Sequence, residues 1–300
     1  MSRYWDLTAG KMKVFSLGLL ILSVLAVNAH AQSILGNASS FAVLGGSTVT
    51  NVPTSTITGN VGVWSSGGAN AITGFTSPSD SQVTGTVYPG GAVPMAAQGS
   101  LTTALTDLGA LSSVGTLIGS NLSLDGPLAP GVYSVAAATS NLTGTLTLAG
   151  TGSANDTWVF LMSSTLITSS GSKVVTTDAP GPGNVFWDVG SSATIASGTT
   201  FYGNILASTS ISMVTGATDL CGSALASTGA VTLQMNKIST GCNGGVSATT
   251  SGGVTTVTVP TPSGGTITAT VPEGGSTLLY LCAFLLPLGA MRTFRFRRSI

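Results

Sequence analysis

The sequence predicts an all-β-dominated chain that folds as a β-solenoid with one long helix packed along it. Short runs rich in β-branched and aromatic residues alternate with Gly, Ser and Asn over residues 33–242, as in chains of short strands joined by tight turns. Two families of these runs recur in step along the chain. A single segment has the apolar spacing of an amphipathic helix.

The recurring runs indicate stacked coils. Runs of the second family follow those of the first by about eight residues, and successive coils advance by roughly 18 to 19 residues. The runs begin at Trp158, Val185, Tyr202 and Gly222 in the first family, and at Thr165, Ala193, Ser210 and Ala230 in the second. Residues 143–148 are expected to form an earlier rung. Two families in step indicate two faces of a solenoid, because each coil buries apolar residues on its neighbours.

The helix is predicted over residues 94–114. Apolar side chains recur there at steps of three and four residues, which places them on one face of a helix. They are Ala97, Leu101, Leu105, Leu108 and Leu111, whereas Gln98, Thr102, Thr103 and Ser113 fall off this stripe. We expect the helix to pack along the solenoid wall rather than to bind a ligand.

The N-terminus has the pattern of a secretory signal peptide. Lys11 and Lys13 precede an apolar run at residues 14–27, and Ala29-His30-Ala31 supplies small residues at the positions that signal peptidase requires. We therefore expect residues 1–31 to be removed during export. Met12 is an alternative to Met1 as the start of the chain.

The C-terminal segment, residues 271–300, has three parts in order. Val271, Pro272 and Glu273 open it, and an apolar stretch at residues 277–291 could form a transmembrane helix. A basic cluster follows, which favours a cytoplasmic C-terminus and consists of Arg292, Arg295, Arg297 and Arg298. This order resembles the PEP-CTERM sorting signals that exosortases recognise in Gram-negative bacteria. The resemblance implies a transient membrane tether, and a permanent anchor helix is the alternative.

The segment between the repeats and this tail, residues 243–270, consists almost wholly of Gly, Ser, Thr, Val and Pro. Such a composition cannot bury a core of its own and is typical of an extended linker. We expect it to hold the folded body, residues 32–242, away from the membrane.

Charge and residue types exclude several classes of function. Residues 32–271 contain two lysines, Lys173 and Lys237, and seven aspartates, a formal net charge of −5. Nucleic-acid binding needs a basic face, so we expect none. The single histidine, His30, leaves with the signal peptide, and no triad, metal cluster or acid–base pair is apparent. We therefore expect neither catalysis nor a cofactor.

Cys221 and Cys242 are the cysteines of the predicted body. Export to an oxidising compartment favours a disulfide between them, which would stabilise the fold by roughly 3 kcal/mol through the unfolded state. The alternative, a metal-binding pair, lacks further Cys or His ligands.

Five segments resemble the ice-binding-like family of bacteria, fungi and diatoms, and together they span residues 34–242. They are LGNASSFAVLG at 35–45, ITGNVG at 57–62, LAPGVY at 128–133, GTTFYGNIL at 198–206 and LASTGAVTL at 225–233. The resemblance implies an irregular right-handed parallel β-solenoid of roughly triangular section with one long α-helix along a side. It also implies adsorption to ice through a flat β-face, which slows recrystallisation or shapes crystals.

The second family of runs is the best candidate for that face. If its apolar residues face inward, strand alternation directs small uncharged side chains outward, where rungs about 4.8 Å apart could match ice. This outward set is Thr145, Thr147, Thr165, Ser192, Thr194, Ser210, Ser212, Ala230 and Thr232. The alternative function is that of a structural or adhesive protein of the cell surface or extracellular matrix, without ice activity.

Overall fold

The structure, a computed structural model, describes residues 32–272 apart from residues 53, 66–70, 136–138, 179–183 and 243. The expected signal peptide at residues 1–31 and the tail from Glu273 to the C-terminus lie outside the described residues. Within the described part, no helix is both long and apolar enough to cross a membrane.

Short strands dominate the described residues on both sides of a long helix. Before the helix lie β1 Gln32–Ser33, β2 Phe41–Gly45, β3 Thr48–Asn51, β4 Thr56–Thr58, β5 Asn60–Val63, β6 Ala71–Thr73 and β7 Val87–Tyr88. Helix α1 spans Ala92–Ala110 and continues as a 3-10 turn over Leu111–Ser113. Two further 3-10 turns span Gly36–Ser40 and Leu122–Leu124.

The strands after the helix complete the solenoid and add a final antiparallel layer. They are β8 Thr116–Ile118, β9 Gly131–Val135, β10 Thr139–Leu142, β11 Thr145–Ala149, β12 Thr157–Met162, β13 Thr165–Thr168, β14 Lys173–Thr177, β15 Asn184–Val189, β16 Ala193–Ile195, β17 Thr200–Phe201, β18 Asn204–Ala207, β19 Ile211–Met213, β20 Thr218–Asp219, β21 Ala224–Ala226, β22 Val231–Leu233, β23 Lys237–Ser239, β24 Ser247–Ser251, β25 Val254–Pro260 and β26 Thr266–Pro272.

Three parallel sheets form the solenoid, and each full coil adds one strand to each sheet in turn. Sheet 1 has nine strands in the order β7-β5-β2-β21-β18-β15-β12-β9-β8. Sheet 2 has seven, β10-β13-β16-β19-β22-β3-β6, and sheet 3 has six, β11-β14-β17-β20-β23-β4. The predicted parallel solenoid is confirmed. The first and second families of runs belong to sheets 1 and 2, and sheet 3 is a third face that the spacing did not separate.

The coils do not stack in chain order. Strands β2, β3 and β4, which come first in the sequence, pair with β21, β22 and β23, which close the repeat region. The first coils are therefore placed beyond the last ones and lengthen all three sheets. Each junction buries apolar side chains from both sides, as where Val231 pairs with Val49.

Aromatic and aliphatic side chains fill the interior of the solenoid. Phe160 stacks on Trp187 with ring centroids 4.2 Å apart, and the Trp187 ring contacts Phe201 at 4.9 Å. The indole N–H of Trp187 donates to the carbonyl of Tyr202 at 2.9 Å, so the ring's polar atom is paired inside the core. The side chains expected to face inward are all buried: Leu146, Leu148, Leu166, Ile195, Ile211, Met213, Val231 and Leu233.

Helix α1 packs on the outer face of sheet 1, in agreement with its predicted apolar stripe. Ala97, Leu101 and Leu108 are fully buried in one cluster with Phe186 and Leu206 of that sheet. Gln98, which falls off the stripe, is nevertheless buried, and its Nε2 donates to the carbonyl of Ala226 at 3.0 Å. The helix therefore shields part of the outer face of sheet 1 from solvent.

Residues 243–270 were expected to form an extended linker, and here the structure differs. Strands β24, β25 and β26 form an antiparallel meander that pairs with β1, and Val257, Val259 and Ala269 are buried in the cluster that contains the helix. The reason is that Thr alternates with Val in β25 and with Ile, Ala and Val in β26, which gives these two strands an apolar face. Val271 and Pro272 of the sorting motif end β26, whereas Glu273 lies outside the described residues.

A disulfide joins Cys221 and Cys242, whose Cα atoms are 5.1 Å apart. It connects the turn after β20 to the segment after β23, so it closes one full coil. The carbonyl of Cys242 accepts a hydrogen bond of 2.7 Å from Nδ2 of the buried Asn204, which ties this segment to the neighbouring coil. The disulfide and this bond hold the end of the solenoid sequence in place.

Candidate functional site

Two columns of outward side chains cross the seven strands of sheet 2. In the first, each residue is paired in register with the next: Asn141, Ile167, Thr194, Ser212, Thr232, Thr50 and Thr73. The second lies two residues earlier in the sequence at each rung, on the strand or directly before it: Thr139, Thr165, Ser192, Ser210, Ala230, Thr48 and Ala71. We call these fourteen residues the sheet 2 face.

Most of the predicted binding residues belong to this face, but two do not. The structure places Thr165, Ser192, Thr194, Ser210, Ser212, Ala230 and Thr232 there together. Thr145 and Thr147, which were expected beside them, lie on β11 in sheet 3. The chain turns a corner at residues 143–144, directly after β10. Strand β10 therefore occupies the place in sheet 2 that was expected for the strand containing Thr145 and Thr147.

Sequence reasoning missed the two ends of the face. Thr48, Thr50, Ala71 and Thr73 extend it because the first coils of the chain stack on β22. At the other end Thr139 and Asn141 contribute through β10. The alternation Thr-Val-Thr-Asn in β3 is a visible signal of a two-sided strand, but it does not indicate which strand lies beside it.

The backbone beneath the face is held by the solenoid core. On β16, β19 and β22 the outward residues alternate with Ile195, Ile211 and Val231, which are at most 1 % exposed. Side chains also bond along the second column: Thr165 Oγ1 donates to Thr139 Oγ1 at 3.2 Å, and Ser210 Oγ accepts from the backbone N–H of Ala230 at 3.2 Å. These contacts favour a rigid face, with rungs about 4.8 Å apart and alternate residues about 7 Å apart along a strand.

Sheet 3 has a different chemical character. Lys173 and Lys237 stand in one outward column of that sheet with Thr200 and Thr218 between them. The turn directly after β20 carries Leu220, whose side chain is 61 % exposed. Both lysines of residues 32–272 therefore lie on sheet 3, and none of the fourteen residues of the sheet 2 face is charged.

Two carboxyl groups have pKa values raised by burial, and both lie away from the sheet 2 face. Burial raises the pKa of Asp219 to about 8, although its Oδ1 accepts from the backbone N–H of Cys221 at 3.4 Å and of Gly203 at 3.3 Å. Burial also raises the pKa of Asp188, on β15 in sheet 1, to about 7. Among the described residues, no group of three His, Cys, Asp or Glu side chains could hold a metal ion.

Known proteins are similar to this chain in sequence. The model of the family described as ice-binding-like matches residues 43–239. An ice-binding protein from Nostoc sp. (strain HG1) is 46 % identical over 229 residues, which cover 75 % of this chain and 81 % of that protein. An ice-binding protein from the fungus Flammulina populicola is 34 % identical over 247 residues, covering 76 % and 95 %.

Solved structures are similar over a comparable share of the chain. The crystal structure of an ice-binding protein from an Antarctic biological consortium is 31 % identical, with a TM-score of 0.58 and coverage of 71 % of this chain and 92 % of that one. An ice-binding protein from an Arctic yeast, 27 % identical, has the same TM-score and covers 70 % and 96 %. Residues 43–239, which the family model matches, contain the coils that build the sheet 2 face, and the chain belongs to the ice-binding-like family.

Proposed function

We propose that this protein adsorbs to ice through the sheet 2 face and thereby shapes crystals or inhibits their recrystallisation. The observation that carries the proposal is the double column of uncharged side chains across seven strands, in which every residue except Asn141 and Ile167 is Thr, Ser or Ala. An ice surface has no charge and no pocket, so a binder needs a flat, rigid array that orders water at a regular spacing. Threonine supplies both a methyl and a hydroxyl group for this.

The contrast with the other two sheets supports this choice of face. Helix α1 packs on the outer face of sheet 1. Sheet 3 carries two lysines, whose ammonium groups are strongly hydrated and do not match an uncharged ice surface. The relatives described above as ice-binding proteins favour ice adsorption over the adhesive role. Serine replaces threonine at Ser192, Ser210 and Ser212, which reduces the number of methyl contacts.

The test is a direct ice assay. The purified protein should shape growing crystals and slow recrystallisation at micromolar concentration, without any ion or cofactor. If both effects are absent at high micromolar concentration, the alternative role as an adhesive surface protein is favoured.

The ends of the chain support a location outside the cytoplasm. We infer that signal peptidase removes residues 1–31 and that the tail at residues 271–300 tethers the chain to the inner membrane until an exosortase cuts it. The mature protein would then lie on the outer surface or be released. Mass spectrometry of surface protein tests this, and recovery of the cluster from Arg292 to Arg298 on that protein would contradict the cleavage.

A further inference from the structure

A cleft of about 400 Å³ lies between helix α1 and the corner where the chain passes from sheet 1 to sheet 2. This volume is within the range of small-ligand sites, about 300 to 1,000 Å³. Trp64 and Met95 provide its apolar surface. Gln98, Thr102, Ser227 and Thr228 provide amide and hydroxyl groups. Ice adsorption through the sheet 2 face does not use this cleft.

The corner itself explains why the cleft is open beside Trp64. After four of the sheet 1 strands, the next backbone N–H donates to the last carbonyl of a neighbouring strand in the stack. These N–H groups belong to Gly190, Ser208, Ser227 and Trp64. The register of β2 with its neighbours places Gly46 between Ser227 and Trp64. Small residues thus line the corner until it ends at an indole ring. The ring forms one wall, and α1 forms the opposite wall.

The space at Gly46 cannot be filled by a side chain. A Cβ atom there would come within 2.2 Å of the carbonyl oxygen of Ser227. Glycine is therefore required for neighbouring coils to stack at this corner, directly beside Trp64.

The chemistry of the walls selects the ligand class. None of the described residues that line the cleft is charged. The side chain of Gln98 is 6 % exposed, and its Oε1 has no hydrogen-bond partner among the described residues. A small shift of this side chain toward the cleft would let a ligand hydroxyl donate to Oε1, which would remove the free-energy cost of a buried acceptor without a donor. An aromatic face matches the C–H face of a sugar ring, and its hydroxyls match amide and hydroxyl side chains.

We propose that this cleft binds a neutral saccharide unit, so that the protein has a glycan site beside its ice-adsorbing face. Acidic glycans are disfavoured because residues 32–271 carry seven aspartates against two lysines. Thr228 lines the cleft and lies two residues before Ala230 of the sheet 2 face, so the two sites share a corner of the solenoid. A chain that occupies both would connect ice to a carbohydrate-rich surface.

Tryptophan fluorescence offers a local readout. Trp158 and Trp187 are fully buried with their indole N–H groups bonded to backbone carbonyls, whereas Trp64 is partly exposed in the cleft. We would titrate the purified chain with short neutral oligosaccharides of glucose, galactose and mannose, and with oligogalacturonate as the charged comparison. We expect saturable quenching by a neutral sugar with a Kd at or below about 1 mM, and loss of this signal in Trp64→Phe.

Two glycine substitutions on one helix provide a matched pair for calorimetry. Gly99 lines the cleft and Gly109 does not, and a Cβ atom at either meets no heavy atom within 4 Å. Both replacements by glutamine should favour the helix, since glycine is a poor helix former. We expect Gly99→Gln and Trp64→Ala each to weaken saccharide binding by about tenfold or more, while Gly109→Gln binds as the parent does.

All of these variants should retain activity in the ice assay, because their side chains lie outside the sheet 2 face. Saccharide binding can therefore fail while ice adsorption persists, and the reverse. The proposal is overturned if no neutral sugar binds up to about 10 mM, if oligogalacturonate binds as well as the neutral sugars, or if Gly99→Gln and Trp64→Ala leave binding unchanged.

Discussion

Thr232 of β22 lies directly beside Thr50 of β3, although one residue closes the repeat region and the other opens it. The pair joins the two parts of the sheet 2 face into one array. Without it, the face would end at β22 and lose Thr48, Thr50, Ala71 and Thr73. The proposed ice contact therefore depends on an association between distant parts of the sequence.

Substitutions in the middle of the face should abolish ice activity. Thr194→Tyr and Ser212→Lys place a bulkier or a charged side chain near the middle of the array, which prevents flat contact with a crystal. Folding should be little changed, because these side chains point away from the core. The matched control is Thr200→Tyr in the middle of sheet 3, which should remain active. Recrystallisation assays and thermal melts measure both effects, and an active Thr194→Tyr would show that another face binds ice.

A second pair of substitutions separates the structural face from the one inferred from spacing alone. Thr50→Tyr should reduce ice activity, since Thr50 stands beside Thr232 in the first column. Thr147→Tyr should have no effect, because Thr147 lies on β11 in sheet 3. Both residues are partly exposed threonines on strands, so their melting temperatures should change alike. The reverse result in the crystal-shaping assay would contradict the stacking order of the coils.

Residues 247–272 should contribute to the stability of the fold rather than serve as a spacer. Val257→Ala removes a fully buried side chain from the cluster beneath helix α1, and we expect a loss of about 2 kcal/mol in the free energy of unfolding. Val254 on the same strand is 41 % exposed, so Val254→Ala should change it by less than about 0.5 kcal/mol. If both substitutions have equal and negligible effects in urea unfolding, the segment acts as the extended linker that its composition predicted.

Stability should fall as the pH rises from about 4 to about 8. Burial raises the pKa of Asp219 from 3.8 to about 8, so in this window the unfolded chain ionises while the folded chain keeps its proton. The native state then binds more protons, and the free energy of unfolding decreases by about 1.4 kcal/mol for each unit of pKa shift. Asp188, whose pKa is raised by burial from 3.8 to about 7, lowers the free energy of unfolding in the same direction between these two pH values.

Asp219→Asn should flatten this pH profile above the range in which Asp188 titrates. Asp80 provides the control, because backbone hydrogen bonds from Gln82 and Thr76 lower the pKa of its exposed carboxyl. Its contribution is present at neutral pH and is lost as the pH falls, so Asp80→Asn should leave the decline between pH 4 and 8 in place. Urea unfolding at several pH values measures both, and an unchanged slope in Asp219→Asn would exclude Asp219 as its source.

The disulfide should stabilise the last coil. Cys221→Ser with Cys242→Ser should lower the free energy of unfolding by roughly 3 kcal/mol through greater freedom of the unfolded chain. Non-reducing alkylation followed by mass spectrometry should find neither cysteine modified in the unfolded oxidised protein. Two alkylated thiols would contradict the bond.

Local periodicity was sufficient for the parts of this fold that depend on neighbours in sequence. The alternation of apolar and small residues identified the inward side chains of sheet 2, such as Ile211 and Val231, because a strand presents successive residues to opposite faces. The spacing of Leu101 and Leu108 identified the buried side of the helix for the same kind of reason. The same alternation was present at residues 254–259, where the Gly- and Ser-rich composition of the whole segment concealed it.

The sequence by itself thus determined that the chain forms stacked parallel rungs, which side of the sheet 2 strands is apolar, and where helix α1 lies. The tertiary structure alone decided that β3 follows β22 in sheet 2, that Thr147 belongs to a third face, and that a cleft lies beside Trp64. The physical reason is that alternation within a strand specifies its inner and outer sides, whereas the identity of its neighbour depends on which exposed edges can pair and bury apolar residues together.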